Sequence, residues 1–358
     1  MRLEDIDSNF KIESSLEREN LKYYDSENAP FDISGIFREG EYFSRIPKEV
    51  AENMSEKAVL LRRWTAGGRI RFSTDSPYIA IYVEHDAPTD HPHFCELGQS
   101  GCDLYQYSAE DGGEIFIRPF MPNMYNRKKY ERLIEVGGEG GMRSYTVYLP
   151  PYCAVSKVYI GLDANARIEK PNPYRDIAPI VYYGHSITQG GCASRPGNSY
   201  PNMICQKTNI DFINLGFAGN ARGEDAIINY VAGLDMSLFV LDYDYNAPSA
   251  EHLRVTHKKF YEKVREKNPD LPIIMMTRPK YRLNADELAR NAVIRETYED
   301  ALKRGDTKVS FLDGRTLFDP FVRENAVVDG IHPTDAGFAS IARCIYNEII
   351  KYIPLDRK

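Results

Sequence analysis

The stretch from residue 180 to 191, IVYYGHSITQGG, sets a short apolar run, Ile180 to Tyr183, against a loop in which Gly184, Gly190 and Gly191 surround Ser186. A short apolar run bounded by glycines reads as a buried strand, and Gly and Ser are ordinary formers of the turn that follows one. Ser186 therefore has two readings, a turn serine or a nucleophile. The stretch alone does not separate them, and the decision falls to the rest of the chain.

The same pattern recurs downstream. Apolar runs at Phe212 to Leu215, Leu238 to Leu241, Ile273 to Met276 and Val309 to Leu312 alternate with segments of helical spacing. One helix is expected from Ser249, as its N-cap, to Lys267, with Leu253, His257, Phe260 and Val264 on one stripe. Another is expected to begin near Asn284, with Glu287 placed for a capping box, and to end near Gly305. Five strands alternating with helices predict a parallel sheet covered on both faces.

Upstream the period changes from helical to alternating. In RIRFST (69–74) Ile70 and Phe72 share one face against Arg69, Arg71 and Ser73, and in YIAIYVEH (78–85) Ile79, Ile81 and Val83 are in step. GEIFIRPF, ERLIEV, SYTVYLP and SKVYIGLD continue the series between turn signals. Short strands at this spacing predict an antiparallel β-sandwich of jelly-roll type, with the first 55 or so residues as an arm plus edge strands. The three prolines of EKPNPYRDIAP mark a linker. The expected organisation is a sandwich domain over 1–168, a linker over 169–179 and an α/β domain over 180–358, which suits a chain of 358 residues.

Charge and composition narrow the function classes. A net charge of −7 carries no basic footprint for nucleic acid. The first ten residues, MRLEDIDSNF, lack the apolar core of a secretory signal, and no later apolar run approaches a membrane span. A cytoplasmic protein is expected, with neither nucleic acid nor membrane as partner. Six scattered cysteines without a C-x-x-C pair suit reduced thiols better than a disulfide framework or a zinc site, with a Cys95–Cys102 bridge as the lesser alternative.

In a parallel α/β sheet, ligands bind beyond the carboxyl ends of the strands. After the five apolar runs come GHSITQGG with Ser186, GFAGN with Gly219, DYDYNAP with Asn246, TRPK with Arg278, and, after a short excursion, VVDGIHPTDAGF with Asp329 and His332. All the polar, turn-rich strings thus fall on one rim. Pro333 suits the first position of the last helix, which places His332 at that helix's start and Asp329 in the loop before it. Three residues of separation there allow the carboxylate to reach the imidazole Nδ1 and leave Nε2 free to take a proton from a serine.

The order GHSIT, GFAGN, YDYNA and DGIHP resembles the four blocks of the SGNH (GDSL-type) hydrolases over residues 178 to 352. The resemblance implies a flavodoxin-like, three-layer α/β/α domain that hydrolyses esters without cofactor or metal. It implies Ser186 as nucleophile, His332 as base, Asp329 as its orienter, and an oxyanion hole from the Ser186 and Gly219 N–H groups with the Asn246 side chain. The preceding sandwich also resembles a carbohydrate-esterase subgroup acting on O-acetylated sugars. Two positions depart from the pattern: His185 stands where Asp is usual, and Asp244 where Gly is usual. An α/β-hydrolase elbow would need glycine two residues after the serine, and Thr188 stands there.

The expected partner is a small-molecule or oligosaccharide ester, and a homo-oligomer is left open. A short-chain acyl esterase or thioesterase on a non-sugar substrate, or a catalytically silent carbohydrate-binding protein, is the alternative. Arg195 and Arg278 fall on the same rim, where each would either bind substrate oxygens or form an ion pair between loops. His257 reads as a core histidine, and Asp242 and Asp244 as strand-end hydrogen-bonding groups. His91 and His93 in HPHF have metal-binding chemistry but no third ligand in view. Trp64 and the tyrosines of the first half are candidates for stacking on sugars or for packing in its core.

Overall fold

The structure, a computed structural model, describes residues 16–123, 125–137 and 141–355. The part of the expected arm before residue 16 lies outside them. The chain first forms β1 (Leu21–Asp25), β2 (Asp32–Ser34), β3 (Phe37–Glu39), β4 (Tyr42–Ser44), β5 (Arg69–Thr74) and β6 (Tyr78–His85). These are followed by β7 (Cys102–Ser108), β8 (Gly113–Phe120), β9 (Lys129–Glu135), β10 (Arg143–Tyr148), β11 (Val155–Asp163) and β12 (Ile168–Glu169). One antiparallel sheet runs β1-β11-β6-β9; a second runs β12-β5-β10-β7-β8, with β2 added beside β5. Their inner faces share one core, to which Ile70, Phe72, Ile79, Ile81, Leu104, Val147 and Ile160 contribute, so the expected sandwich is present. Strand β7 is the one long strand that the sequence reading leaves out. Its string CDLYQYS carries a carboxylate, Asp103, at a fully buried position, which breaks the alternation.

The second half forms β13 (Ile180–Gly184), β14 (Phe212–Gly216), β15 (Leu238–Asp242), β16 (Ile273–Met276) and β17 (Val309–Leu312), all parallel, in the order β14-β13-β15-β16-β17. Tyr183, Leu215, Phe239 and Leu241 pack on one face under the helices Asp225–Ala232, Ala250–Lys267 and Ala285–Lys303. Ile180, Tyr182, Val240 and Ile274 pack on the other, under Tyr200–Thr208 and Asp335–Tyr352. This is the three-layer, flavodoxin-like arrangement, and β13 leads directly into the crevice where its strand order reverses. Both anticipated caps are present: Ser249 Oγ accepts from His252 N–H at 3.1 Å, and Asn284 and Glu287 form a reciprocal capping box. Among the described residues no helix is long and apolar enough to cross a membrane. All six cysteines are free thiols.

The start of the last helix corrects the sequence reading. It begins at Asp335 with Thr334 as N-cap, because Thr334 Oγ1 takes the Gly337 N–H at 3.3 Å. Pro333 lies outside it, in an extended bridge to Val327, and His332 therefore stands in a turn and not at a helix start.

The two halves meet across the face of β5 that was expected to be polar. Arg69, Arg71 and Ser73 are as buried as their inward neighbours. Arg69 reaches Asp211 Oδ1 at 2.6 Å and the Phe212 carbonyl at 2.9 Å, with its guanidinium over the Phe212 ring. Arg45, equally buried, donates to the carbonyls of Asn214, Gly216 and Leu61. Arg69 is fully buried while Asp211 is partly exposed, so Arg69→Met, which leaves that carboxylate and the Phe212 carbonyl without this donor, is expected to destabilise the protein by about 1–3 kcal/mol. A urea unfolding curve that stays within about 0.5 kcal/mol of the parent, the range of an ordinary surface substitution, would show that the contact carries little.

Candidate active site

Ser186 is the first residue of a four-residue helix, Ser186–Gln189, and His185 caps that helix: its Nδ1 accepts from Ile187 N–H at 3.2 Å. With Nδ1 accepting, the ring proton belongs on Nε2, which lies 3.1 Å from Asp242 Oδ1 at the end of β15. An imidazole thus does here what a capping carboxylate does elsewhere, and Thr188 Oγ1, which donates to Asp242 Oδ2 at 3.1 Å, ties the serine loop to the neighbouring strand. Gly184 has no alternative in this turn, since a Cβ there would lie 1.9 Å from Thr188 Oγ1 and 2.4 Å from the Asp242 carbonyl.

From the far end of the sheet, the loop after β17 returns to the same point. Ser186 Oγ lies 2.8 Å from His332 Nε2, and His332 Nδ1 lies 2.8 Å from Asp329 Oδ2. The other carboxylate oxygen, Oδ1, accepts from His332 N–H at 2.8 Å and Ile331 N–H at 3.0 Å, so the acid fixes both the ring and the backbone of its neighbour. Burial works against ionisation of Asp329, but these hydrogen bonds outweigh it and hold the carboxyl down at about 2. Gly330, at φ +86°, makes the tight turn between acid and imidazole possible.

Ser186 and His332 open into a cleft of about 840 Å³ that Gly219 and Asn246 also line. Gly219 has φ +68° and open space where a Cβ would point. Asn246 Oδ1 accepts from Ala221 N–H at 3.3 Å, which orients the amide and leaves its NH2 without a protein partner among the described residues. All five residues expected from the four blocks thus meet in one place.

Arg195 and Arg278 do not line this cleft. Arg195 donates to Asp103 Oδ2 at 2.9 Å and to the Tyr105 hydroxyl at 2.6 Å, and lies over the Phe116 ring. Arg278 is held by Asp244 Oδ2 at 3.1 Å and Glu287 Oε1 at 3.2 Å, over the Tyr245 ring. Both guanidiniums are taken up by ion pairs between elements, the second of the two readings open to them. Asp244, at the position where glycine is usual, is the buried partner of Arg278. His257 is a core histidine, with Nδ1 against Thr297 Oγ1.

The opposite wall of the cleft comes from the sandwich half. Tyr152 donates its hydroxyl proton to the Ser186 carbonyl at 3.1 Å, and burial keeps that phenol protonated. Its ring touches Trp64 and Phe94, with centroids 5.2 and 4.9 Å away, and Phe94 continues to His332 at 5.9 Å. His93 Nε2 approaches Asp329 Oδ2 to 3.5 Å. Phe94 and Tyr152 are residues the sequence reading missed. They lie far from every block in the chain; the HPHF loop, read for metal chemistry, and Trp64, read with the tyrosines for stacking on sugars, were the two pointers to this wall.

Residues 177–351 match the GDSL-like lipase/acylhydrolase family, and residues 21–168 match the N-terminal domain of SGNH-hydrolase-type esterases, a family labelled GxDLY. The string Gly101-Cys102-Asp103-Leu104-Tyr105 fits that label. Its Asp103 and Tyr105 are the groups that clasp Arg195 and, through the Gly197 N–H, the segment following the serine loop. No curated protein matches the chain. Among solved structures, a protein described as a GDSL-like lipase from Bacteroides ovatus is 28% identical, with a TM-score of 0.84 over 95% of this chain and 100% of that one. A salicylyl-acyltransferase, SsfX3, from a tetracycline biosynthetic pathway is 19% identical, with a TM-score of 0.77 over 94% and 99%. A family two carbohydrate esterase from Clostridium thermocellum, in complex with cellohexaose, is 15% identical, with a TM-score of 0.59 over 93% and 99%. The four blocks, the shared crevice and both family matches agree: residues 177–351 form a domain of the GDSL-like lipase/acylhydrolase (SGNH) family of ester-hydrolysing serine hydrolases, and residues 21–168 the N-terminal domain that accompanies it in SGNH-hydrolase-type esterases.

Proposed function

We propose that the protein removes O-acyl groups, acetyl foremost, from carbohydrates. Ser186, His332 and Asp329 act as nucleophile, base and orienting acid, and the hydrolase domain over 180–358 works against a sandwich domain over 1–168 across the linker 169–179. The observation that carries this reading is the continuous path from Ser186 Oγ to His332 to Asp329, 2.8 Å at each step, opening on an aromatic-walled cleft. His332 takes the Ser186 proton as Oγ attacks the ester carbonyl. The oxyanion forms against the Ser186 and Gly219 N–H groups and the Asn246 amide, whose free NH2 is the donor this role requires. The imidazolium then protonates the leaving sugar hydroxyl, and water repeats the sequence on the acyl-enzyme. A sugar as leaving group is supported by the carbohydrate esterases of the same fold and by the Trp64, Tyr152 and Phe94 surfaces beside the serine. A silent fold loses its support, because His185 and Asp244 brace the loops and leave the reacting atoms alone.

Acetate release from a panel of acetylated xylo-, manno- and sialyl-saccharides tests the substrate class, and a panel on which every member is inert would contradict it. On the best substrate, Asn246→Ala is expected to lower kcat about 100-fold, the equivalent of about 3 kcal/mol, with the fold intact. Unchanged turnover would remove Asn246 from the oxyanion site.

Asp329 adds a pH-dependent test. Its folded-state pKa lies below the ordinary value of 3.8, so the contacts with His332 contribute stability above about pH 4 and lose it as the pH falls toward about 2. The parent should therefore be more stable than Asp329→Asn near neutrality by about 1–2 kcal/mol, and that advantage should vanish on acidification to about pH 2. A gap that stays constant between those pH values in thermal unfolding would contradict the assignment.

A further inference from the structure

His93 and Cys192 take no part in the proposed reaction, yet both sit beside it. His93, Cys192 and His332 each present one ligand atom, and the three atoms lie within 4.8 Å of one another. They arrive from three separate segments: the HPHF loop of the sandwich half, the turn after the Ser186–Gln189 helix, and the loop ahead of the last helix. His93 is exposed and Cys192 buried, so the cluster opens to solvent on one side and is backed by protein on the other. The Asp329 carboxylate stands next to it, 3.5 Å from His93 Nε2.

Two imidazoles and a thiol form the mixed nitrogen and sulfur donor set that favours a tetrahedral zinc ion, with the fourth position open to water. Zinc bonds of about 2.0–2.3 Å place donors roughly 3.3–3.6 Å apart, so closure needs a side-chain movement of about 1 Å. His93, on an exposed loop, can make that movement. The third ligand that the sequence lacked around HPHF is thus supplied by the fold.

We propose that the cleft binds Zn²⁺ through His93, Cys192 and His332, and that the ion switches the esterase off by taking His332 out of the proton relay. Both ring nitrogens of His332 are engaged, Nε2 with Ser186 and Nδ1 with Asp329, so coordination at either one breaks the path. Cys192 coordinates as the thiolate and releases its proton to solvent. The inhibition rests on the proposed role of His332; the binding does not.

Calorimetric titration of Zn²⁺ into the metal-free full chain, and of Co²⁺ followed by absorption, tests the site without turnover. One ion per chain is expected, with a thiolate-to-cobalt charge-transfer band. Acetate release should fall about tenfold or more on saturation with Zn²⁺ and return with EDTA. Cys192→Ala should lose the band, and both Cys192→Ala and His93→Ala should weaken Zn²⁺ binding by roughly tenfold or more. Cys192 has φ +68°, and alanine bears the same backbone strain as cysteine there, while His93 is exposed, so both variants should fold. Absence of a bound ion, or binding unaltered in both variants, would overturn the site. Zinc bound as described by a chain inert toward every ester would keep the site and overturn the catalytic reading.

Discussion

The imidazole of His332 is held in place by backbone. Val327 bridges Pro333, Val328 N–H donates to the His332 carbonyl at 2.8 Å, and Thr334 N–H donates to the Ala326 carbonyl at 2.9 Å. These contacts close the loop into a narrow turn whose tip carries Asp329 and Gly330 and whose return strand carries His332. Asp329 then bonds both the ring and the N–H of His332, so ring orientation and loop conformation are fixed by one carboxylate. Geometry of this kind matters because a misplacement of about 1 Å between reacting groups can cost about 100-fold in rate. The serine side is fixed with similar economy: β13 aims Ser186 at the reversal of strand order, His185 caps its helix, and Thr188 ties that helix to Asp242 at the end of β15.

The sandwich half is part of this construction and more than an appendage. Its arginines Arg45 and Arg69 end on carbonyls of β14, and Arg69 also on the Asp211 carboxylate just before it, so the strand beside β13 is gripped from outside the sheet. Asp103, buried enough that its carboxyl is pushed up to about 6 despite Arg195 and the Gly197 N–H, clasps the segment after the serine loop. Tyr152 holds the Ser186 carbonyl directly. Ser186 is thus supported from both halves of the chain, and the cleft has one wall from each.

Much of this was legible in the sequence where the signal was local. The alternation in RIRFST and YIAIYVEH gave β5 and β6 to the residue, and Asn284 with Glu287 marked a helix start, because in each case neighbouring residues carry the whole cause. The apolar runs with their polar sequels brought Ser186, Gly219, Asn246, Asp329 and His332 to one rim, since a parallel sheet sends every such loop the same way. What stayed hidden depends on contacts between distant segments. The burial of Arg69 and Arg71, the engagement of Arg195 and Arg278 in ion pairs, and the wall of Phe94 and Tyr152 all arise where the two halves meet. The boundary of the last helix was misplaced for a smaller reason: Pro333 is a good first helical residue, but Thr334 is a better cap, and the strand-like bridge to Val327 takes the proline.

The claim on which the rest turns is that Ser186 Oγ is the nucleophile, activated by the imidazole beside it. Treating the full-length protein with a fluorophosphonate and locating the adduct by peptide mass spectrometry tests that most directly. A single adduct on Ser186, lost in His332→Ala and formed in step with the loss of esterase activity, is the expected result. Esterase activity abolished with the adduct on another residue, or retained with Ser186 fully modified, would contradict it.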